Sequence, residues 1–177
     1  MTSQPLRVGI VGLQPGRSWA AKAHVPALHA LSADFAIAGI ANTTLASAVL
    51  AAAALDHGAR PFASVADLVA SADIDVVSVT VRVPHHLDVV KTAITAGKHV
   101  YCEWPLGNGL AEAQELARLA KEKGVLGVVG TQACLSPEIL YMKQLIADGF
   151  VGEVLSTTLI ARGGGWGGVI PEKKSHA

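Results

Sequence analysis

Three features of the 177-residue sequence predict an α/β fold, a doubly wound parallel sheet with helices on both faces. Short apolar runs alternate with longer amphipathic stretches along most of its length. The runs are continuously apolar, as strands covered on both faces require; Val76–Val81 (VVSVTV) is β-branched at nearly every position. Aromatic residues make up only 5% of the chain, and much of the 51% hydrophobic content is alanine and valine. That mix lets helices lie close against a valine-rich sheet.

The elements follow in order. Leu6–Val11 (LRVGIV) is the first strand. A loop of special residues comes next, Gly12-Leu13-Gln14-Pro15-Gly16-Arg17, with Ser18 placed to cap the helix beyond it. Pro26 interrupts that helical stretch, so a break or restart is expected near His24. Phe35–Ala41 is the second strand, and Leu45–Leu55 an alanine-rich helix. A brief extended piece at Arg60–Phe62 leads into Ser64-Val65-Ala66-Asp67, a capping-box spacing. After the Val76–Val81 strand, a helix places Leu87, Val90 and Ile94 on one side and stops at Gly97. His99–Glu103 is a short strand. The helix Glu112–Lys123 carries Ala113, Leu116, Ala117 and Ala120 at helical spacing, and Gly124 ends it. Val125–Thr131 is another strand. Ser136-Pro137-Glu138 then opens a helix whose stripe is Ile139, Met142 and Ile146, closed by Gly149. Val154–Ile160 reads as a last strand before a glycine-rich tail. The boundary is expected near Gly149–Glu153, giving one domain over residues 1–150 and the truncated start of a second over residues 151–177. One strand and a loop cannot form a domain.

Composition excludes several classes. Fourteen basic residues balance fourteen acidic ones without a basic stripe, which argues against direct nucleic-acid binding. The longest low-charge stretch, Leu45–Leu55, is too short to span a bilayer, so no membrane partner is expected. The N-terminus lacks the basic and apolar regions of a signal peptide. Cys102 and Cys134 are too few for a disulfide framework or a zinc site. These features together favour the cytoplasm. No metal is expected either: His85 and His86 are adjacent, their side chains diverge, and a third ligand is not evident.

The strand-to-helix turn Gly12–Ser18 is the first candidate site. A dinucleotide pyrophosphate needs backbone amides at a helix N-terminus and a turn without bulky side chains. Gly12 and Gly16 supply the turn, while Arg17 and Ser18 can add donors; Gln14 stands where the second glycine of G-x-G-x-x-G would fall. An ordinary glycine turn is the alternative. At the end of the second strand an acidic residue would hold the adenosine ribose and repel a 2′-phosphate. Here the string is Asn42-Thr43-Thr44, neutral and rich in donors, which permits NADP and does not enforce NAD. The expectation is that NADP is accepted at least as well. The same string is a good helix cap, and capping alone is the alternative.

The stretch Ala96-Gly97-Lys98-His99-Val100-Tyr101-Cys102-Glu103-Trp104-Pro105 resembles the A-G-K-H-V-x-x-E-K-P signature of the glucose–fructose oxidoreductase, inositol dehydrogenase and rhizopine-catabolism (Gfo/Idh/MocA) family. His86 falls where that family carries a histidine after its fourth strand, and Gly149-Phe150-Val151-Gly152-Glu153-Val154 is similar to its entry into a second domain. Within the family, Ser18-Trp19-Ala20, His24-x-Pro26-Ala27, Glu103-Trp104 and Gly164-Gly165-Trp166 resemble the branch of the fungal galactose-pathway repressor. The resemblance spans about residues 6–168. It implies a Rossmann-like domain binding NAD or NADP, hydride transfer to or from a sugar or polyol in the complete protein, and a homo-oligomer when complete. The repressor branch implies the competing reading, a non-catalytic dinucleotide-sensing regulator with a protein partner.

Gly12, Gly16, Arg17 and Ser18 would hold the pyrophosphate, with Leu13 and Gln14 of the same turn beside the cofactor, and Asn42 and Thr43 would hold the adenosine ribose; Trp19 is a lid over the cofactor or, alternatively, helix packing. Thr80, Val81, Arg82, His86, Glu103 and Trp104 would surround the nicotinamide end. Departures from the family bear on catalysis. Alcohol oxidation needs a base or a cation to take the hydroxyl proton or steady the alkoxide. The family lysine of Glu-Lys-Pro is replaced by Trp104, whose indole donates one hydrogen bond but is no base. The catalytic residues therefore stay unassigned; Glu103 and Trp104 occupy the Glu-Lys-Pro site. The family's second-domain aspartate and histidine lie beyond Ala177, so this chain alone is expected to lack turnover and, through an unpaired last strand, to self-associate. His24 is read as a helix-face packing residue, with a place beside the cofactor as the alternative. Cys102 is expected to pack inside the sheet.

Overall fold

A computed structural model describes residues 4–55 and 58–160. Along the chain run β1 (Leu6–Val11), a π-helical turn (Ala20–His24) continuing into α1 (Val25–Ala30), β2 (Phe35–Ala41), α2 (Leu45–Ala53), β3 (Arg60–Phe62) and α3 (Val65–Ala70). Then follow β4 (Val76–Val79), α4 (His86–Thr95), β5 (His99–Glu103), α5 (Leu110–Lys123), β6 (Gly127–Gly130) and α6 (Pro137–Ala147). The chain divides into two units, Met1–Gln132 and Ala133–Ala177, and all six strands lie in the first.

Every strand pair is parallel, and the order is β3-β2-β1-β4-β5-β6. The chain winds outward from β1 to β3, returns to place β4 on the other side of β1, and winds out again. This is the doubly wound arrangement that the alternating pattern predicts, and its strand order reverses between β1 and β4. Successive β1 residues serve opposite faces: Val8 and Ile10 join a buried cluster with Ile40, Ala48, Ala51 and Ala52, while Val11 joins one with Leu68, Val79, Ile94 and Leu116. Alanines at 48, 51 and 52 are the buried residues of α2. Thr44 starts that helix through a reciprocal cap, its hydroxyl accepting from Ser47 N–H while Ser47 Oγ accepts from Thr44 N–H.

Pro26 acts as expected. Without an N–H it cannot donate back into the preceding turn, and the helix shifts from π to α at His24 and Val25. Ser136 caps α6 by accepting from Ile139 N–H at 3.4 Å, with Pro137 in the first turn. The Ser64 cap accepts from Asp67 N–H at 3.0 Å, but the Asp67 carboxylate accepts the serine hydroxyl at 2.7 Å, so the box is not closed onto the cap's own amide.

Three expected spans change. The fourth strand stops at Val79, because Thr80 turns to bond the end of β1. The sixth begins only at Gly127. Val154–Ile160 forms no strand and pairs with none among the described residues, and Leu159 is 91% exposed. The edge foreseen as a site of self-association is thus not preformed, although its apolar side chains lie open. Trp166 and its glycine-rich surroundings lie outside the described residues.

At the opposite end of the sheet from the β1 C-terminus, Arg7 clamps β1 to the start of β4. Its backbone N–H and Nε donate to Asp75 Oδ2 at 2.8 and 2.9 Å, and its Nη2 to Oδ1 at 2.8 Å. These hydrogen bonds hold the Asp75 carboxyl down at about 2. A depressed acid stabilises the fold above its unfolded pKa of 3.8 and loses that contribution as pH falls towards about 2. Asp75→Asn should therefore cost about 1 kcal/mol at neutral pH, allowing for solvent screening. Urea unfolding of both proteins between pH 7 and 2 checks this, and the difference between them should close across the acid window.

Candidate functional site

The site is organised by the fork between β1 and β4. Val11 O accepts two hydrogen bonds from Thr80, from its N–H at 3.0 Å and its hydroxyl at 2.9 Å, and Gly12 N–H donates to Ala41 O at 3.0 Å. The end of β1 is thereby tied to both neighbouring strands. Gly12 sits at φ +102°, and a Cβ there would lie 2.9 Å from Val81 Cγ1 and 3.0 Å from Thr80 O. Only glycine passes through the fork, so this residue is required by the fold before any ligand is considered. Gly16, at φ +69°, has open space where a Cβ would go.

Ser18 shapes the loop between these glycines. Its Oγ accepts from Gln14 N–H at 3.0 Å and from Ala21 N–H at 3.3 Å, and donates to Gln14 O at 3.0 Å. The cap is therefore real, but the hydroxyl proton is already taken, which corrects the expectation that Ser18 adds a donor for phosphate. The backbone amides of Leu13, Gly16, Trp19 and Ala20 carry no hydrogen bond among the described residues. Leu13 offers only its backbone, since its side chain is in the core. Gln14, Arg17 and Trp19 are exposed. Free amides at the head of a helix favour an anion.

At the end of β2, Asn42 corrects a second expectation. Its Nδ2 donates to Leu13 O at 2.8 Å and to Ser47 O at 3.1 Å, so the donors read from the sequence are engaged within the protein. Its Oδ1 is buried without a hydrogen-bond partner. Thr43 is exposed beside it, and Thr44 does the capping.

At the ends of β4 and β5 a recess of about 330 Å³ is lined by Trp19, His24, Tyr101, Glu103, Trp104 and Gln132. His24 Nδ1 lies 3.0 Å from Ser78 Oγ, and its ring stands edge-on to Tyr101 at 5.4 Å. Its Nε2 is 3.2 Å from Glu103 Oε1, close enough for an ion pair but not aligned as a hydrogen bond, and that oxygen is buried without a hydrogen-bond partner among the described residues. Burial, and then the Glu103 charge, push the Tyr101 hydroxyl above its ordinary range. Trp104 is 70% exposed at the rim. His24 is thus packed against Ser78 and Tyr101, as read from the sequence, and also lines this recess.

His86 is the clearest correction. It is 1% exposed, with Nδ1 2.8 Å from Pro105 O and Nε2 2.9 Å from Val81 O. The ring is wedged between two backbone carbonyls, with Cys102 Sγ 3.3 Å from Nδ1, so it braces the β4 exit loop against the turn after β5 and, at this burial, cannot reach a ligand. Thr80 has likewise given its proton to Val11 O; Val81 packs at the fork, and Arg82 is exposed. Cys102 packs inside the sheet as expected, its thiol pushed up to about 12 by burial and then by Glu103. Ser78 and Tyr101 were missed by sequence reading; the one signal was a lone serine within an apolar strand. A larger recess of about 480 Å³ on the sheet face is lined mainly by apolar side chains such as Val8, Phe35, Val76 and Val128. It shares Trp19, His24, Tyr101 and Gln132 with the smaller recess, and Ser78 and His99 are its other polar side chains.

The model of the oxidoreductase family with an NAD-binding Rossmann fold matches residues 6–131. The chain is 34% identical over 175 residues to the galactose/lactose metabolism regulatory protein GAL80 of Kluyveromyces lactis, covering 94% of this chain and 38% of the relative. It is 41% identical over 112 residues to the dehydrogenase aclE of Aspergillus oryzae, covering 62% of this chain and 31% of that protein. Among solved structures, a super-repressor mutant of Gal80p from Saccharomyces cerevisiae superposes with a TM-score of 0.80 at 30% identity, over 85% of this chain and 40% of that one. The chain thus spans about two fifths or less of the length of the proteins it matches.

The two glycines of the turn should behave differently. Gly12→Ala combines a positive φ with contacts at 2.9–3.1 Å and should destabilise by about 2–4 kcal/mol. Gly16→Ala meets only the conformational term, about 1–2 kcal/mol. Chemical denaturation of both variants checks the order, and equal losses would contradict the crowded fork.

Proposed function

Since the chain belongs to the oxidoreductase family with an NAD-binding Rossmann fold, we infer that it binds a nicotinamide dinucleotide across the β1–β4 fork and forms the cofactor half of a protein that transfers hydride to or from a sugar or polyol. The observation that carries this reading is the set of backbone amides in the turn after β1, at Leu13, Gly16, Trp19 and Ala20, that carry no hydrogen bond among the described residues. Asn42 Oδ1 and Glu103 Oε1, at the ends of β2 and β5, are buried without a hydrogen-bond partner among the described residues, Glu103 Oε1 lying 3.2 Å from His24 Nε2.

A bound nicotinamide dinucleotide accepts or returns a hydride. The free amides of the turn would receive its pyrophosphate, and Asn42 the adenosine ribose. Trp19, Tyr101 and Trp104 present apolar ring surfaces around the smaller recess, with Glu103 as acceptor, which suits a ring carrying several hydroxyls. Of the lining groups, the Glu103 carboxylate with His24 beside it could take up a hydroxyl proton; the Trp104 indole could not.

One observation favours the regulatory reading. Trp104 stands where a family lysine would steady the alkoxide, and it is exposed at the rim, positioned to meet another surface instead. The two readings share cofactor binding and differ in turnover.

Calorimetry with the oxidised and reduced cofactors should give saturable binding, and no heat with any of them at millimolar concentration would overturn the site. Tryptophan fluorescence should quench on binding, with most of the change lost in Trp104→Phe. Cofactor reduction against a panel of sugars and polyols then separates the readings: turnover supports the dehydrogenase, and binding without turnover the regulator.

A further inference from the structure

The structure assigns Ser78 as a positioning residue: from inside β4 it fixes the His24 ring, and through that ring the Glu103 carboxylate that lines the smaller recess. This rests on the reading of Glu103 as the group that takes up a hydroxyl proton. Ser78 is the one polar side chain of β4 and is 3% exposed. Register sets it beside Ile10 of β1 and Tyr101 of β5. Two residues on from Val76, it projects to the same sheet face, the one met by the turn that carries His24. A buried hydroxyl needs a partner, and among the described residues Ser78 Oγ has one, His24 Nδ1 at 3.0 Å.

A neutral imidazole has one N–H and one bare nitrogen, and its neighbours decide which is which. Nε2 lies 3.2 Å from Glu103 Oε1, and an ionised carboxylate can only accept, so the proton belongs on Nε2. Nδ1 is then bare, and Ser78 satisfies it by donating its hydroxyl proton. The reverse tautomer would set a bare nitrogen against a carboxylate oxygen. Tyr101 closes a third side of the ring, edge-on at 5.4 Å. Serine, histidine and a carboxylate also make up hydrolytic triads, but there the serine meets the substrate and the carboxylate is buried. Here the depths are inverted. Ser78 lies within the sheet, where it cannot act as a nucleophile, and the Glu103 side chain is 24% exposed and lines the recess. With its proton already on Nε2, His24 presents a donor to Glu103 and leaves the uptake of a substrate proton to the carboxylate.

The test is nitrogen–proton long-range correlation spectroscopy of the isotope-labelled chain, which reads which nitrogen of each histidine ring carries the proton; His24→Asn identifies the His24 signals. Wild type should show the proton on Nε2 and a bare Nδ1 whose resonance is displaced as a hydrogen-bond acceptor's is. Ser78→Thr and Ser78→Val share one shape and differ in the hydroxyl. The threonine variant should keep the Nδ1 displacement and the wild-type Glu103 Cδ resonance, and the valine variant should lose the first and shift the second. A proton on Nδ1 in wild type, or matching spectra from the two variants, would overturn the proposal. So would a valine variant in which Nδ1 changes and the Glu103 signal stays, because the link to the carboxylate would then be missing. The spectra need no ligand and so stand apart from the calorimetry of cofactor binding. Spectra as expected from a chain that gives no heat with any cofactor would remove the reading of the recess and leave Ser78 a packing residue.

Discussion

The structure depends on how closely β1 and β4 can come together at their C-terminal ends. β1 is the strand from which the sheet winds in both directions, and its last carbonyl is shared by the amide and hydroxyl of Thr80. The chain must leave β1 through that contact, and Gly12 leaves by a backbone path that admits no side chain. The turn, the π-helical start of the following helix and the open amides all descend from this exit. The glycine is thus demanded first by the sheet, and the anion-favouring loop is what the sheet's requirement leaves behind.

Much of the fold was legible because strand periodicity, capping residues and terminating glycines are local signals. Leu6–Val11, Phe35–Ala41, Arg60–Phe62 and His99–Glu103 coincide with observed strands, and the break at Pro26 falls where the missing N–H requires it. The errors came where a residue's role is fixed by partners distant in sequence. Ser18, Asn42 and His86 all belong to types that can serve a ligand, yet each has hydrogen-bonding groups engaged inside the protein. Residue type gives capacity; only tertiary structure says how much of it is left over. For Asn42 both donors are taken by the carbonyls of Leu13 and Ser47, one far off in the sequence.

The strand expected at Val154–Ile160 fails for a related reason. Its apolar, β-branched composition is a statement about burial, and a strand needs a ladder as well as a pattern. By contrast β3 is only three residues long and carries a proline, yet it is a strand because β2 lies beside it. Pairing opportunity outweighed propensity in both cases.

The alanine face of α2 has a bearing on how this sequence can change over evolutionary time. Ala48 and Ala51 are wholly enclosed against the sheet, so the helix lies at a distance set by methyl groups. A larger side chain at either position would push α2, and with it the Thr44 and Ser47 start that borders Asn42, away from β2. Drift at these alanines is therefore constrained by the loop at the helix's end, and homologues that keep the loop's geometry should show small residues there even where the rest of the helix has diverged.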